Sequence, residues 1–176
     1  MFDNLRQDTR RLREIKTKGF PWYVVESLLF ENGYQAVVLH RLAHFFKRHG
    51  VPVLGPFFHR LSIFLTGVDV APGAEIGPGL RISHGVGTVI GNGVTLGARC
   101  LLMQGATLGA PSQARIGDMP TLGDDVVVGA GACVIGRIRV GDDVLIGVNA
   151  VVTEDVPDDS KVLAPAARVT TRRRQA

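Results

Sequence analysis

Aromatic residues and cysteines are both scarce in this 176-residue sequence, in which 45% of residues are hydrophobic but only 6% are aromatic. The 22 glycines outnumber the aromatic residues, a balance that favours stacked small side chains over a core built on large rings. The two cysteines, Cys100 and Cys133, are too few for a disulfide framework. The hydrophobic content still suffices for one independently folding domain.

The sequence also lacks a long uninterrupted apolar segment. Its most hydrophobic stretch, residues 51–68, is broken by Pro52, Pro56, His59 and Arg60. No transmembrane span is therefore predicted. No charged-then-apolar leader with a small-residue cleavage site opens the chain, so we expect a protein of the reducing cytoplasm.

An excess of positive charge is missing from the middle of the chain, where basic and acidic residues are nearly balanced. The net charge is +4, but the basic residues concentrate in residues 9–18 and 171–176. Without basic and aromatic residues interleaved between these ends, nucleic acid is not an expected partner. A small molecule that carries phosphates, or plain solvation of the ends, accounts for the charge.

Up to about residue 66 the spacing of apolar residues is helical. Val38, Leu42 and Phe45 fall on one side of a helix predicted over residues 33–50. This pattern predicts an α-helical N-terminal region over residues 1–66.

Two histidines of this helix, His40 and His44, stand four residues apart and could together chelate a metal. The sequence does not force an aspartate, glutamate or cysteine close to them. We therefore interpret them as part of a partly exposed helix face and predict no metal site.

From Val70 onward, aliphatic residues recur at intervals of six. The members of this series are Val70, Ile76, Ile82, Ile90, Leu96, Leu102, Leu108, Ile116, Leu122, Val128, Val134, Val140, Ile146 and Val152. In a hexapeptide repeat, each hexad supplies one short strand and one turn, and three hexads close a triangular coil. Coils stack through parallel strands about 4.8 Å apart. The pattern predicts a mainly β fold, a parallel β-helix over residues 67–168 capped by the N-terminal helices and followed by a basic tail, 169–176.

The six-residue phase slips by two residues at two places, between Ile82 and Ile90 and between Leu108 and Leu122. Extra residues must bulge outward from a coil, so both breaks are expected to carry functional side chains.

His84 lies in the first break, and Asp69 lies about one coil earlier near the same corner. A carboxylate bonded to one ring nitrogen would fix the tautomer and leave the other nitrogen as a base toward a hydroxyl or amine. The alternative is a solvated loop histidine.

Over roughly residues 28–168 the chain resembles the serine acetyltransferases of the hexapeptide-repeat acyltransferase superfamily. The likeness is carried by the stretches LLFENGYQA, RLAHFF, VDVAPGAEIGPGLRISHGVGTVIG, GATLG, VVGAGACVIGRIRVGDDVLIG and AVVTEDVP. The resemblance implies a left-handed β-helix, active sites between subunits, acetyl-CoA as donor and direct attack by an acceptor hydroxyl. It also implies that His84 is the catalytic base and that Asp69 supports it.

The sequence departs from the family pattern where the acceptor is recognised. The family's aspartate before the catalytic histidine is matched by Ser83, and its Arg-His pair in the second break is matched by Asp118 and Met119. Each lost charge partner could remove about 2–5 kcal/mol of recognition. We therefore expect an acceptor that could differ from free serine, an amino-acid derivative or another small alcohol, with Asp118 facing a cationic group on it.

The resemblance further implies that acetyl-CoA lies in a groove along neighbouring coils. Gly131, Ala132 and Ala150 would allow its close approach, while Lys161 and Arg168 would meet its phosphates.

Two alternatives remain at this point, and a third, a carbonic anhydrase, is nearly excluded. A sugar or antibiotic acetyltransferase of the same fold would differ only in its acceptor pocket. A zinc carbonic anhydrase on a β-helix needs several histidines on the coils, whereas His84 is the only histidine after His59. A noncatalytic scaffold would neither bind nor consume acetyl-CoA. A homotrimer is the predicted assembly, with a hexamer as the alternative.

Overall fold

The computed structural model describes residues 2–13, 19, 21–168 and 170. Within these residues the chain forms four α-helices followed by fourteen short strands. The helices are α1 (Phe2–Arg13), α2 (Trp22–Phe30), α3 (Asn32–Arg48) and α4 (Leu54–Thr66). The strands are β1 (Asp69–Val70), β2 (Glu75–Ile76), β3 (Arg81–Ser83), β4 (Val89–Ile90), β5 (Thr95–Leu96), β6 (Leu101–Met103), β7 (Thr107–Gly109), β8 (Thr121–Leu122), β9 (Val127–Val128), β10 (Cys133–Ile135), β11 (Arg139–Val140), β12 (Leu145–Ile146), β13 (Val151–Val152) and β14 (Lys161–Val162). Apart from Thr170, the predicted tail lies outside the described residues.

The strands build three parallel sheets that form the sides of a β-solenoid of about five turns. Their orders are β1-β4-β7-β10-β13, β11-β8-β5-β2 and β14-β12-β9-β6-β3. Consecutive strands thus join different sheets, and each strand pairs with the strand one coil away. The predicted fold class, a parallel β-helix behind an α-helical region, is confirmed.

The interior of the solenoid is a column of aliphatic side chains from the hexad series, such as Ile90, Leu102 and Val134, each completely buried. Ile116 is the exception, because 62% of its surface is exposed. Leu108 and Leu122 are consecutive inward positions fourteen residues apart where six would suffice, so the chain inserts eight residues between them. The prediction that Ile116 faces inward is therefore wrong, since this residue belongs to the inserted loop.

A buried ion pair fastens the helices to the first coil. Arg41 on α3 donates two hydrogen bonds to the Asp8 carboxylate on α1, at 2.9 and 3.1 Å. Arg41 also donates to the carbonyl oxygens of Ile76 and Gly77, and Asp8 accepts from the Gly79 amide. Every charge is thus matched by charge or by backbone dipoles, which a buried pair requires. The helices cap the start of the solenoid.

His40 is buried in this cap, with 2% of its surface exposed, so placing it on a partly exposed helix face was wrong. Among the described residues, neither ring nitrogen has a hydrogen-bond partner that meets ordinary geometry. Burial, followed by the positive charge of Arg41, lowers the pKa of His40 to about 3. Its neighbour His44 is half-buried and bonds the Pro72 carbonyl oxygen through Nδ1 at 3.0 Å.

Across the described part of the chain, histidine, cysteine and acidic side chains form no group of three that could hold a metal ion. In the same residues, every helix is too short or too polar to span a bilayer.

Candidate active site

The first break in the hexad repeat is a tight turn between β3 and β4. His84 opens the turn with a positive φ of 58°, a conformation in which histidine is enriched relative to most side chains. Gly85 follows and is buried; a Cβ there would lie 2.7 Å from Val68 Cγ2. The turn therefore folds onto the core through its glycine, which leaves the His84 side chain exposed to solvent.

The helical cap supplies a wall beside His84 because α3 begins in direct contact with β3. A Cβ on Gly33 would lie only 1.9 Å from the Ile82 carbonyl oxygen, so any other residue would push the helix away. The same glycine lies 3.6 Å from the Cβ position of Gly85. Two glycines thus allow the start of α3 to contact the His84 turn.

Sites for small molecules have volumes of about 300–1,000 Å³, and His84 borders a cavity at the lower end of this range, about 310 Å³. Its walls come from α1, the α2–α3 junction and β3. The lining residues are Leu12, Phe30, Glu31, Asn32, Gly33, Arg81, Ile82, Ser83 and His84. Such a space can hold a small acceptor beside the imidazole.

Asp69 lies below the His84 turn, as its position one coil earlier predicts. Its backbone amide donates to the Thr88 carbonyl oxygen at 2.9 Å. Its side chain, however, accepts a hydrogen bond from His59 Nε2 on α4, with 2.7 Å between Nε2 and Oδ1. Within the described residues, the imidazole of His84 forms no hydrogen bond or ion pair with Asp69. The expected His84–Asp69 pair therefore stays a prediction.

The predicted acceptor residues separate into two places. Ser83 lies beside His84 in the cavity. Asp118 lies in the second break, where Arg115 Nε donates to it at 2.7 Å and Arg137 Nη2 lies 3.1 Å from its other oxygen. These guanidiniums lower the pKa of Asp118, the Arg115 hydrogen bond most strongly. Because two arginines already neutralise this carboxylate, the geometry does not favour the predicted contact with a cationic acceptor.

Met119, next to Asp118, packs against the solenoid, and its expected contact with the acceptor stays a prediction. Its Sδ and Cγ atoms lie 3.3 and 3.6 Å from the Cβ positions of Gly91 and Gly93, so the side chain covers a turn of the solenoid. It packs partly buried against the core. Neither Met119 nor Asp118 borders the His84 cavity of the same chain.

The predicted acetyl-CoA residues also divide into two groups. Gly131, Lys161 and Arg168 are exposed. Ala132 and Ala150 have 0% and 2% of their surface exposed, and their carbonyl oxygens already accept from Thr107 and Cys133. The prediction that these two alanines contact the cofactor is not supported, because their methyl groups fill the solenoid interior.

Sequence reasoning missed Arg81, Phe30, Glu31 and Asn32 as cavity residues. Arg81 had a usable signal, since it stands two residues before Ser83 on one strand and so shares its face. The other three had none, because only the packing of α3 on β3 brings them to the cavity. His59 on Asp69 was missed for the same reason.

The sequence of this chain is similar to those of known proteins. The family model described as "Hexapeptide repeat of succinyl-transferase" matches residues 87–112 and 137–164. A serine acetyltransferase from Synechococcus elongatus is 45% identical over 84% of this chain and 61% of its own length. One from Helicobacter pylori is 42% identical over 85% of this chain and 87% of its own length. The chain thus spans about three fifths of the cyanobacterial relative and most of the second.

Solved structures agree with these sequence comparisons. A serine acetyltransferase from Neisseria gonorrhoeae in complex with serine superposes with a TM-score of 0.81 at 31% identity, over 96% of this chain and 68% of that one. An isoform from Entamoeba histolytica in complex with cysteine gives a TM-score of 0.83 at 29% identity, over 98% of this chain and 61% of that one. The repeat, the helical cap and these similarities together show that the chain belongs to the serine acetyltransferase family of left-handed, hexapeptide-repeat β-helix proteins.

Proposed function

We propose that this chain transfers the acetyl group of acetyl-CoA to the hydroxyl of a small acceptor, with His84 as the general base. The observation that carries this proposal is the exposed His84 imidazole at the edge of a 310 Å³ cavity, on a fold shared with serine acetyltransferases. A solvated loop histidine would not need a turn held against the core by Gly85 and against a helix by Gly33.

The chemistry needs one proton carrier. His84 removes the proton of the acceptor hydroxyl while its oxygen attacks the thioester carbonyl carbon. Collapse of the tetrahedral intermediate breaks the carbon–sulfur bond, and the imidazolium returns the proton to the CoA sulfur. The acetyl group moves from sulfur to oxygen without a covalent enzyme intermediate. Cys100 takes no part, because burial raises the pKa of its thiol to about 11.

Asp69 is the proposed support for His84. The hydrogen bond from His59 involves Oδ1, so Oδ2 could meet His84 after a rotation of either side chain. The backbone bond from Asp69 to Thr88 holds Asp69 against the end of the turn that His84 opens. Once paired, the carboxylate would fix the imidazole tautomer and stabilise the imidazolium.

A subunit contact next to His84 is supported by the solenoid edge that starts there. One residue of each coil stacks on the next along this edge: Val86, Gln104, Ala130 and Val148. The amides of Gly105, Gly131 and Asn149 join the coils, because each donates to the carbonyl oxygen of the stacked residue one coil earlier. Val86 and Val148 have 62% and 57% of their surface exposed. In the proposed homotrimer a neighbouring subunit would cover this edge, and acetyl-CoA would follow it past Gly131 toward Lys161 and Arg168. A hexamer built from two trimers is the alternative.

The acceptor is proposed to differ from free serine. Ser83 provides no charge beside His84, and Asp118 replaces a cationic residue of the family pattern while being neutralised by Arg115 and Arg137. Both changes remove a partner for one end of a zwitterionic amino acid.

The test is a thiol-release assay with acetyl-CoA and a panel of amino acids, hydroxy acids, amino alcohols and sugars. His84→Ala should lower the transfer rate by about 10²–10⁴-fold without unfolding the protein. His49→Ala, at another exposed histidine, is the matched control and should retain activity. Unchanged transfer by His84→Ala would overturn the general-base role, and normal turnover of free L-serine would overturn the changed acceptor.

A further inference from the structure

Arg81 is the one arginine or lysine among the described residues that line the His84 cavity. It lines the cavity together with Ser83 and His84, and its side chain is half-buried. In the part of the chain that the structure describes, its guanidinium forms neither an ion pair nor a hydrogen bond. By contrast, Arg99, in the turn before β6, pairs with Asp125. A guanidinium that lines a cavity without such a pair has its donors available to an anionic group of a ligand.

The strand fixes where Arg81 points. Ile82 is buried in the solenoid interior, so Arg81 and Ser83 lie on the outer face of β3. The Arg81 amide donates to the Cys100 carbonyl oxygen at 3.0 Å, which anchors its backbone to the next coil. Alternate residues of a strand are about 7 Å apart, so Arg81 lies about that far along β3 from Ser83, and His84 follows Ser83 directly at the edge of the same cavity.

We propose that Arg81 recognises a carboxylate on the acceptor, so that the acceptor is a small hydroxy acid. This inference rests on the proposed function, because it assumes that the hydroxyl reacts at His84. A guanidinium grips a carboxylate through two parallel hydrogen bonds. Asp118, which is itself an anion, cannot bind a carboxylate in the second break. In this proposal Arg81 on β3 binds it instead. Ser83, in the position of a lost aspartate, offers an ammonium group no charge, which is why the acceptor need not be an amino acid.

The test compares acceptors that differ only in charge: D-glycerate with its amide, and L-serine with L-serinamide. In the wild type the carboxylate form should have a KM about 10–100-fold lower than its amide. Arg81→Gln should abolish that ratio through KM with little change in kcat, and Arg81→Lys should keep part of it. Arg60→Gln, at an exposed arginine of α4, is the control that should leave the ratio intact.

Equilibrium binding of the same four compounds, measured by calorimetry, separates this inference from the proposed function. If no acceptor turns over but glycerate still binds in preference to its amide through Arg81, the proposed reaction fails and the recognition role stands. If transfer depends on His84 while neither KM nor binding distinguishes acid from amide, or if Arg81→Gln leaves the preference unchanged, the recognition role is overturned. Matched thermal unfolding of wild type and Arg81→Gln confirms that both are folded.

Discussion

The two breaks in the hexad repeat are built in opposite ways. The first adds two residues and is enclosed, with Gly85 and Thr88 buried and α3 packed against it. The second adds eight residues, of which those from Pro111 to Gly117 are exposed, and its Asp118 is held by surface arginines. A side chain that performs chemistry needs a fixed position, and burial of its neighbours provides one. The comparison favours the first break as the site of reaction.

The largest expected effect comes from breaking the ion pair that fastens the cap beside the first break. Asp8→Ala leaves Arg41 buried without its carboxylate, which should cost about 3–5 kcal/mol of unfolding free energy. Urea unfolding measures this loss. Replacing both residues by apolar ones of similar volume should restore only part of the stability, because the backbone groups of Ile76, Gly77 and Gly79 still lose their partners. Equal losses in the single and double variants would contradict the proposed pairing.

A glycine pair tests the enclosure of the two breaks directly. Gly85→Ala places a methyl group 2.7 Å from Val68 Cγ2 and should cost about 1–3 kcal/mol. Gly117→Ala, in the second break, meets no atom within 4 Å and should leave stability nearly unchanged. Thermal unfolding and acetyl transfer would be measured on both variants. Similar losses at the two sites would show that the breaks are equally constrained.

Acid should destabilise the cap that supports the first break. The pKa of His40 falls from 6.5 to about 3 on folding, so between these values the unfolded chain binds a proton that the native chain excludes. Stability from this residue is therefore present above pH 6.5 and is lost as pH falls, by roughly 1 kcal/mol between pH 7 and 5.5. His40→Leu should remove this part of the pH dependence. Parallel stability curves for wild type and variant would refute the assignment.

The smallest expected effect is at the second break. Asp118→Asn weakens ion pairs whose arginines are exposed, and exposed pairs contribute little to stability and are screened by salt. We expect a shift in melting temperature that is visible only at low ionic strength. A large shift that persists in high salt would mean that this loop is constrained as tightly as the first break.

The hexad repeat made the solenoid predictable because inward positions must be aliphatic in every coil. The same rule failed at Ile116, because one aliphatic residue in a loop of the right length imitates a repeat position. His84 was identified as the residue in the first break, whereas Asp69 pairs with a histidine on α4, a helix whose docking has no period in the sequence. The same limit hid the walls of the cavity, which depend on how α3 lies on β3.

The sequence by itself determined the stacked coils, the location of both breaks and the exposure of one histidine, because periodic burial is a local property of each hexad. Only the tertiary structure decided which side chains surround that histidine. Those neighbours come from α1, α2, α3 and β3, and a buried ion pair together with two glycine contacts, all between residues distant in the chain, brings them to one cavity.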